Sequence, residues 1–370
     1  MKFLFPGSSL GVIGGGQLGR MFTQRANEMG YNVCCYTPEK NSPCEKTGAN
    51  CIIGEFDDLH KLEGFLKKIS ALTFEFENIP SVTLDFLDSF QDRINIFPNT
   101  NSIRIAQNRF KEKSFFQKLG LNTVQFSKID DNSDLKLLET FPFPAILKTN
   151  QFGYDGKGQF GVNSFQHLQT IISELQVVDH ILEEKINFDF EISVICARFS
   201  SGSIFNYLPS KNVHKNSILD YTIHPANLET HLKKISIEYA QTLINELDYV
   251  GVLGLEMFVR GDKIICNEFA PRPHNSGHFT MNSCRYSQFD LQLMSLTNLY
   301  PETLSLQTLE SVMKNIIGEQ SEPNEAILQE MLSDSRYYFH SYQKEESRKG
   351  RKMGHINFLG KWEDSLFSSF

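Results

Sequence analysis

Long apolar runs are missing from this chain. No window approaches 18 consecutive apolar residues, which excludes a helical membrane span. The opening Met1-Lys2-Phe3-Leu4-Phe5-Pro6 is broken by proline and a Gly/Ser stretch before a signal-like core can form, so no secretory leader is expected. Positive charge is also short. Lys and Arg number 36 against 44 Asp and Glu, a net charge of −8, and the one basic run is Ser347-Arg348-Lys349-Gly350-Arg351-Lys352. That balance gives no long-range attraction for nucleic acid or an acidic membrane, and neither is expected as a partner. The 7 cysteines form an odd set without C-x-x-C spacing, mostly inside apolar stretches such as Val33-Cys34-Cys35-Tyr36. They read as buried thiols of a reducing compartment, and a cytoplasmic protein is expected.

What is present is ordinary globular composition, 40% hydrophobic and 22% charged, in a chain long enough for two or three domains. Over the first hundred residues, short apolar strands at 10–13, 31–36, 51–53 and 71–76 alternate with helical spacing at 17–29 and 60–69. This pattern predicts a doubly wound α/β domain with a parallel sheet. Gly14, Gly16 and Gly19 match G-x-G-x-x-G, and Glu39 stands about where the ribose-binding acid of a dinucleotide fold belongs. Taken alone, the motif predicts a nicotinamide or flavin enzyme. Its physical content is broader: a tight turn and helix N–H groups aimed at an anion suit any phosphorylated ligand.

A second phosphate-binding apparatus lies downstream. Gly153-Tyr154-Asp155-Gly156-Lys157-Gly158-Gln159 packs three glycines, an acid and a lysine into one loop. By itself such a loop is a surface turn, and it lacks the G-K-[ST] ending of a Walker loop. Its setting changes the reading. Residues 145–148 form a short buried strand ending in Lys148, and 103–119 read as one amphipathic helix carrying Arg109. Residues 181–186 read as a strand entering a connector, where Glu183, Glu184, Lys185 and Ile186 are placed to read an adenine edge. Glu256 and Glu268 stand in two apolar runs around a turn at 260–263. A three-residue hairpin loop would set these carboxylates face to face. Facing carboxylates repel unless a cation lies between them, and Mg²⁺ (or Mn²⁺) with nucleotide phosphates is the usual solution. Lys148 and Lys157 would neutralise phosphates while loop N–H groups converge on them. The combination points to MgATP.

Gly14-Gly15-Gly16-Gln17-Leu18-Gly19-Arg20-Met21, the 153–159 loop, N-E-F-A-P-R-P-H-N-S-G-H at 267–278 and G-R-K-M-G-H at 350–355 resemble the N5-carboxyaminoimidazole ribonucleotide synthetase family of ATP-grasp enzymes. The resemblance runs from about residue 10 to 358. It implies a mixed α/β and α+β chain: a pre-ATP-grasp domain on the ribonucleotide side (1–105), an ATP-grasp domain with a glycine-rich lid (106–300) and a small C-terminal lobe (301–370). It also implies a ligase reaction of purine biosynthesis, in which MgATP phosphorylates bicarbonate and carboxyphosphate delivers its carbon to 5-aminoimidazole ribonucleotide.

By the same resemblance, Arg109, Lys148, the 153–159 loop, Glu183 to Ile186, Glu191, His214 and the Asn267-Glu268 pair contact ATP, while Glu256 and Glu268 hold the metal. Gly16, Gln17 and Leu18 would face the ribonucleotide, with Lys344 and Arg351 on its 5′-phosphate. Arg272 is expected to grip bicarbonate through both ends of its guanidinium, His274 to move a proton, and Asp155 with Tyr154 to reach the substrates from the lid. The family continues further after a G-H-I-N run like that at 354–357, so a shortened C-terminal lobe is expected, with consequences for the usual homodimer. No mutase domain is fused to the chain, so a separate mutase is expected to take the product. A formate-using ribonucleotide transformylase, a nicotinamide oxidoreductase and a non-catalytic ATP-grasp regulator are the competing readings.

Overall fold

The computed structural model describes residues 2–131, 133–151, 153, 158–175, 179–299, 308–363 and 366–367. The alternating N-terminal pattern forms a five-stranded parallel sheet in the order Asn50–Ile53, Asn32–Thr37, Ser9–Ile13, Ala71–Phe74, Asn95–Ile96. Helix Gln17–Glu28 follows the first strand and buries Leu18, Met21, Phe22 and Ala26, the apolar positions at helical spacing. Ligands of such sheets bind beyond the carboxyl ends of the strands. Here that edge carries the glycine turn, Glu75 and Glu77.

The expected helix over 103–119 is two helices, Thr100–Ala106 and Arg109–Lys118. Asn108 breaks it: its backbone is extended and its side chain accepts the Lys111 N–H at 2.9 Å. Asparagine favours such N-caps over helix interiors because its side chain competes for backbone donors. Arg109 therefore opens a helix instead of riding along one. Asn150 secures that start, its carbonyl accepting the Arg109 N–H at 3.0 Å and its side chain the Phe110 N–H at 2.9 Å.

A four-stranded antiparallel sheet, in the order Phe126–Asp130, Asp179–Glu184, Ala145–Thr149, Gln159–Val162, carries the lysine strand and the far end of the glycine loop. A nine-stranded sheet forms the larger body. Its hairpin Gly251–Arg260 and Lys263–Ala270 lies at one end, and Ser311–Ile317, Lys352–Leu359 and Tyr337–Ser341 continue it at the other. The C-terminal lobe thus extends the same sheet through Ile218–His224.

All ten residues of helix Gln288–Thr297 are buried. A helix apolar on more than one side belongs between two bodies, and this one lies between the two main sheets. Phe289, Leu293 and Leu296 join the N-terminal core, whereas Leu291 and Met294 join the core under the large sheet. Gln292 ties the two together, donating to Thr73 Oγ1 and accepting from the Val252 N–H, both at 2.7 Å. The strand leading to Glu75 and the strand bearing Glu256 are fixed to one helix.

Candidate active site

A cavity of about 710 Å³ opens where the three sheets meet. Its lining includes Gln17, Leu18, Glu75 and Glu77 from the first domain, Lys148 from the small sheet, and Glu256, Glu268 and Lys352 from the large one. Arg109, Gly153, Gln159, Glu191, His214, Asn267, Arg272 and His274 also line it. One cavity therefore gathers most of the residues that the sequence reading assigned to two ligands.

The carboxylate pair comes from a hairpin unlike the expected one. Only Gly261 and Asp262 separate the strands, which would leave Glu256 out of register with Glu268. A β-bulge corrects this: Glu256 pairs with Glu268, but Met257 pairs with Cys266, so Asn267 is the extra residue. Helix Arg109–Lys118 braces the bulge on both sides. The buried Lys113 ammonium donates to the Asn267 carbonyl, and Glu112 accepts the Phe269 N–H at 2.7 Å. Neither residue was anticipated from sequence; the signal was an acid-lysine pair on the buried face of a short helix.

Burial first, and the facing Glu268 second, push Glu256 up to about 8. His274 Nε2 lies 3.2 Å from Glu256 Oε1. Its Nδ1 accepts from the Ser276 N–H at 3.4 Å and lies 2.8 Å from Ser276 Oγ, which assigns the ring proton to Nε2, toward Glu256. Burial, then the charge of Arg272, holds this imidazole well below its usual range, so it is neutral. Gly254 permits the approach: a Cβ there would meet His274 Cβ at 2.7 Å.

The cations are paired. Lys148 Nζ sits 2.7 Å from Glu183, which is held down to about 2 because Lys113 and Lys148 outweigh its burial. Burial pushes Lys148 itself down, against the pull of Glu183. Arg109 reaches Glu268 at 3.2 Å and donates to the Gly153 carbonyl at 3.0 Å. Thr149 N–H holds the Gly158 carbonyl at 3.0 Å, so both described ends of the glycine loop are anchored. Tyr154, Asp155, Gly156 and Lys157 lie outside the described residues.

Beside this pair, His214 Nδ1 and Glu191 lie 2.5 Å apart. Burial opposes charge on His214, but Glu191 and Glu256 raise its pKa. In the segment expected to read adenine, Glu184 N–H donates to the Gln125 carbonyl at 2.8 Å and Lys185 N–H to the Pro144 carbonyl at 3.0 Å, which fixes the connector before Ile186. Phe258 and Phe188 stack at 4.4 Å on the large-sheet side of the cavity, and Ile146 lies on the small-sheet side. Both side-chain polar atoms of Asn275 are buried without a partner among the described residues.

One expectation is corrected at the first domain. The glycine turn does not leave its helix N–H groups open to a phosphate, because Glu75 occupies them. Its carboxylate accepts from Gly16 N–H and, at 2.8 Å, from Gly19 N–H. A Cβ at Gly14 would meet Glu75 Cγ at 2.1 Å and one at Gly16 its Oε1 at 2.8 Å, so the glycines make room for an internal carboxylate. Arg272 spends one edge of its guanidinium inside the protein: Nε lies 2.7 Å from Glu77 Oε2 and Nη2 3.3 Å from Oε1. Glu75 and Glu77 were legible only as two acids just beyond a parallel strand.

On the C-terminal lobe, Lys352 lines the cavity where Arg351 was expected. Arg351 instead donates to the Glu346 carbonyl at 3.1 Å. Lys344 lies outside the lining, with its pKa pushed down to about 8 by burial and then by Arg351, although Glu75 and Glu39 pull the other way. His278, from the same run as His274, packs away from the cavity against His355, with ring centroids 4.9 Å apart.

Comparison with known proteins gives this geometry a family. A ribonucleotide synthetase preATP-grasp domain model matches residues 8–107, an ATP-grasp domain model 114–289, and a phosphoribosylaminoimidazole carboxylase C-terminal domain model 311–368. The N5-carboxyaminoimidazole ribonucleotide synthase of Bacillus subtilis (strain 168) is 35% identical over 365 residues, covering 98% of this chain and 94% of the relative. The Staphylococcus aureus N5-carboxyaminoimidazole synthetase, solved with ADP, superposes with a TM-score of 0.89 at 31% identity, covering 100% of this chain and 97% of that one. An Aspergillus clavatus N5-carboxyaminoimidazole synthase, solved with ADP and 5-aminoimidazole ribonucleotide, gives 0.84 at 29% identity over 97% and 95% of the two chains. With this identity along nearly its full length, the chain belongs to the N5-carboxyaminoimidazole ribonucleotide synthase family of ATP-grasp enzymes.

Proposed function

We propose that the chain is a ligase of purine biosynthesis that carboxylates 5-aminoimidazole ribonucleotide to N5-carboxyaminoimidazole ribonucleotide, consuming ATP and bicarbonate and releasing ADP and phosphate. The observation that carries this reading is the single cavity in which the Glu256–Glu268 pair and Lys148 face the first-domain edge bearing Gln17, Glu75 and Glu77. ATP takes the side between the small and large sheets, with adenine between Ile146 and Phe258 and its edge on the Lys185-Ile186 backbone. Lys148 and Arg109 meet the phosphates, exchanging part of their pairing with Glu183 and Glu268 for phosphate oxygens.

Glu256 and Glu268 fit a divalent cation. They face each other in register, burial and mutual repulsion keep Glu256 protonated without one, and the Asn275 carboxamide, which lines the same cavity, lacks a partner among the described residues. Mg²⁺ bound there would supply charge neutralisation to the transferring phosphoryl group. His274, neutral and donating to Glu256, keeps that carboxylate oriented.

Bicarbonate belongs between the nucleotide and Arg272. Glu77 holds the Arg272 guanidinium in place, so its charge stands ready for the carboxyphosphate formed when bicarbonate oxygen attacks the γ-phosphorus. The exocyclic amine of the ribonucleotide then takes the carbon and phosphate leaves. Glu75 and Gln17 are placed for the ribose side, and Lys352, which lines the cavity, supplies a cation for the 5′-phosphate. Water must be kept out, because carboxyphosphate hydrolyses readily. We further propose a cytoplasmic homodimer whose product passes to a separate mutase.

The test is ADP release from MgATP and bicarbonate, with and without 5-aminoimidazole ribonucleotide, beside glycinamide ribonucleotide with formate. Release that depends on aminoimidazole ribonucleotide supports the reading. Activity only on glycinamide ribonucleotide and formate moves the chain to a transformylase.

A further inference from the structure

One carboxamide behind the cavity holds the strap 272–275. Gln288 opens helix Gln288–Thr297 and is fully buried. Its Oε1 accepts the His274 N–H at 2.8 Å, and its Nε2 donates to the His274 carbonyl at 2.8 Å. The other Nε2 hydrogen is directed at His278 Nδ1, 2.9 Å away. Both donors of the amide and its carbonyl are thus engaged inside the protein. Its orientation follows from its partners, because a main-chain N–H can meet only the oxygen and a main-chain carbonyl only the nitrogen. His278 Nδ1 must then accept, which puts the proton of this neutral ring on Nε2; burial holds its pKa down to about 3.

Gln288 holds residue 274 as a neighbouring strand would, by both main-chain groups, in an extended conformation (φ −114°, ψ 150°). The strap turns back immediately afterwards, with Gly277 N–H donating to the His274 carbonyl at 2.9 Å. It closes on the amide, since a Cβ at Gly277 would meet Gln288 Oε1 at 2.5 Å. On the other side, Arg272, His274 and Asn275 line the cavity. Ser276 Oγ lies 2.8 Å from His274 Nδ1 and 2.7 Å from the hydroxyl of Ser193, the residue opposite Glu256 in the sheet. One turn along the same helix, Gln292 holds Thr73 and Val252. The helix therefore references the strap to the strands that lead to Glu75 and carry Glu256.

We propose that Gln288 is a positioning residue for the carboxylation, setting Arg272, His274 and Asn275 against Glu256 and the substrates through its grip on the His274 main chain. Gln288 lies outside the cavity lining, so it acts through the strap and not on a substrate. The assignment rests on the functional reading above. Methionine at this position would keep the bulk but leave the His274 N–H and carbonyl buried without partners. Glutamate keeps the shape. Protonated, it still accepts from the N–H and donates to the carbonyl; ionised, it sets a negative oxygen against that carbonyl. The titratable groups facing position 288 are His274 and His278, with Arg272, Glu256, His355 and Tyr342 beyond them. Burial first keeps both histidines neutral, and it favours the protonated form of a carboxyl placed between them.

The experiment follows steady-state ADP release by the full chain from MgATP and bicarbonate at saturating 5-aminoimidazole ribonucleotide. The parent, Gln288→Met and Gln288→Glu are compared between about pH 6 and about pH 8.5. Gln288→Met should lower kcat about a hundredfold across this range at unchanged KM for ATP, the scale of a misplaced catalytic group. Gln288→Glu should show a similar deficit at the alkaline end and recover toward the parent as pH falls and its carboxyl takes up a proton. An unchanged kcat in Gln288→Met, a deficit in Gln288→Glu that does not narrow with falling pH, or a rise in the KM for ATP that accounts for the loss overturns the proposal. A second measurement needs no variant: spectra of the parent chain with 15N-labelled histidine should show the His278 proton on Nε2 and a hydrogen bond accepted at Nδ1. A proton on Nδ1 overturns the grip. A parent that ignores the ribonucleotide sinks the functional reading, while these spectra still decide the geometry at Gln288.

Discussion

The two ends of the cavity use charge in opposite ways. At the first-domain end, a glycine turn and helix N-terminus of the kind that binds phosphate is filled by the protein's own Glu75. At the hairpin end, two carboxylates are brought face to face, with burial and the facing Glu268 pushing Glu256 up against the pull of His214 and Lys352, neutral His274 beside it, and Arg109 on Glu268. One end is satisfied by the fold, and the other, on the proposed reading, is completed by a ligand. A backbone motif thus gives the geometry of an anion site without saying whether the anion is a ligand or a side chain.

The sharpest way to break this contrast is at the hairpin. Glu268→Gln removes the charge that completes the pair and should lower kcat about a thousandfold in steady-state ADP release, the scale expected when one electrostatic element of phosphoryl transfer is lost. Next in size is Glu77→Gln, which frees Arg272 from its bidentate hold. It should lower kcat about a hundredfold at unchanged KM for ATP, because a mispositioned guanidinium harms the reaction more than nucleotide binding. Glu75→Ala unplugs the helix N-terminus. It should raise the KM for the ribonucleotide about tenfold, leave that for ATP alone, and turn inorganic phosphate into a measurable inhibitor.

Much of this was readable from the chain, unevenly. The alternating strands, the lysine strand and the paired acids followed from periodicity and from the cost of burying carboxylates. The split at Asn108 was missed because the apolar spacing runs through it, although Asn108 to Lys111 has the form of an N-cap. The bulge at Asn267 and its brace by Glu112 and Lys113 depend on contacts between residues more than a hundred and fifty positions apart, which no local pattern carries. The same holds for Glu77 on Arg272, and for the exchange of Arg351 for Lys352 in the lining.

Titration gives the smaller effects, with opposite signs at the two ends. Glu256 titrates near 8 in the fold and about 4.3 unfolded, so the stability it contributes is full below that unfolded value and is lost as pH rises through about 8. Cation binding must release its proton. Apparent Mg²⁺ affinity should therefore climb with pH up to about 8, with a proton released on binding, as read by calorimetry in buffers of different ionisation enthalpy. Behind the first-domain end, burial holds His340 down to about 4. The unfolded chain binds the extra proton between that value and about 6.5, so this histidine costs stability as pH falls through the window. His340→Gln should gain stability relative to the parent on moving from pH 7.5 to 5.5, measured by urea unfolding.

The central claim, that both ends serve one carboxylation through carboxyphosphate, is tested most directly with oxygen-labelled bicarbonate. One labelled oxygen should appear in each inorganic phosphate formed, and only in the presence of 5-aminoimidazole ribonucleotide at full rate. Unlabelled phosphate from a turning-over enzyme would contradict the account, because ATP would then be cleaved by some nucleophile other than bicarbonate.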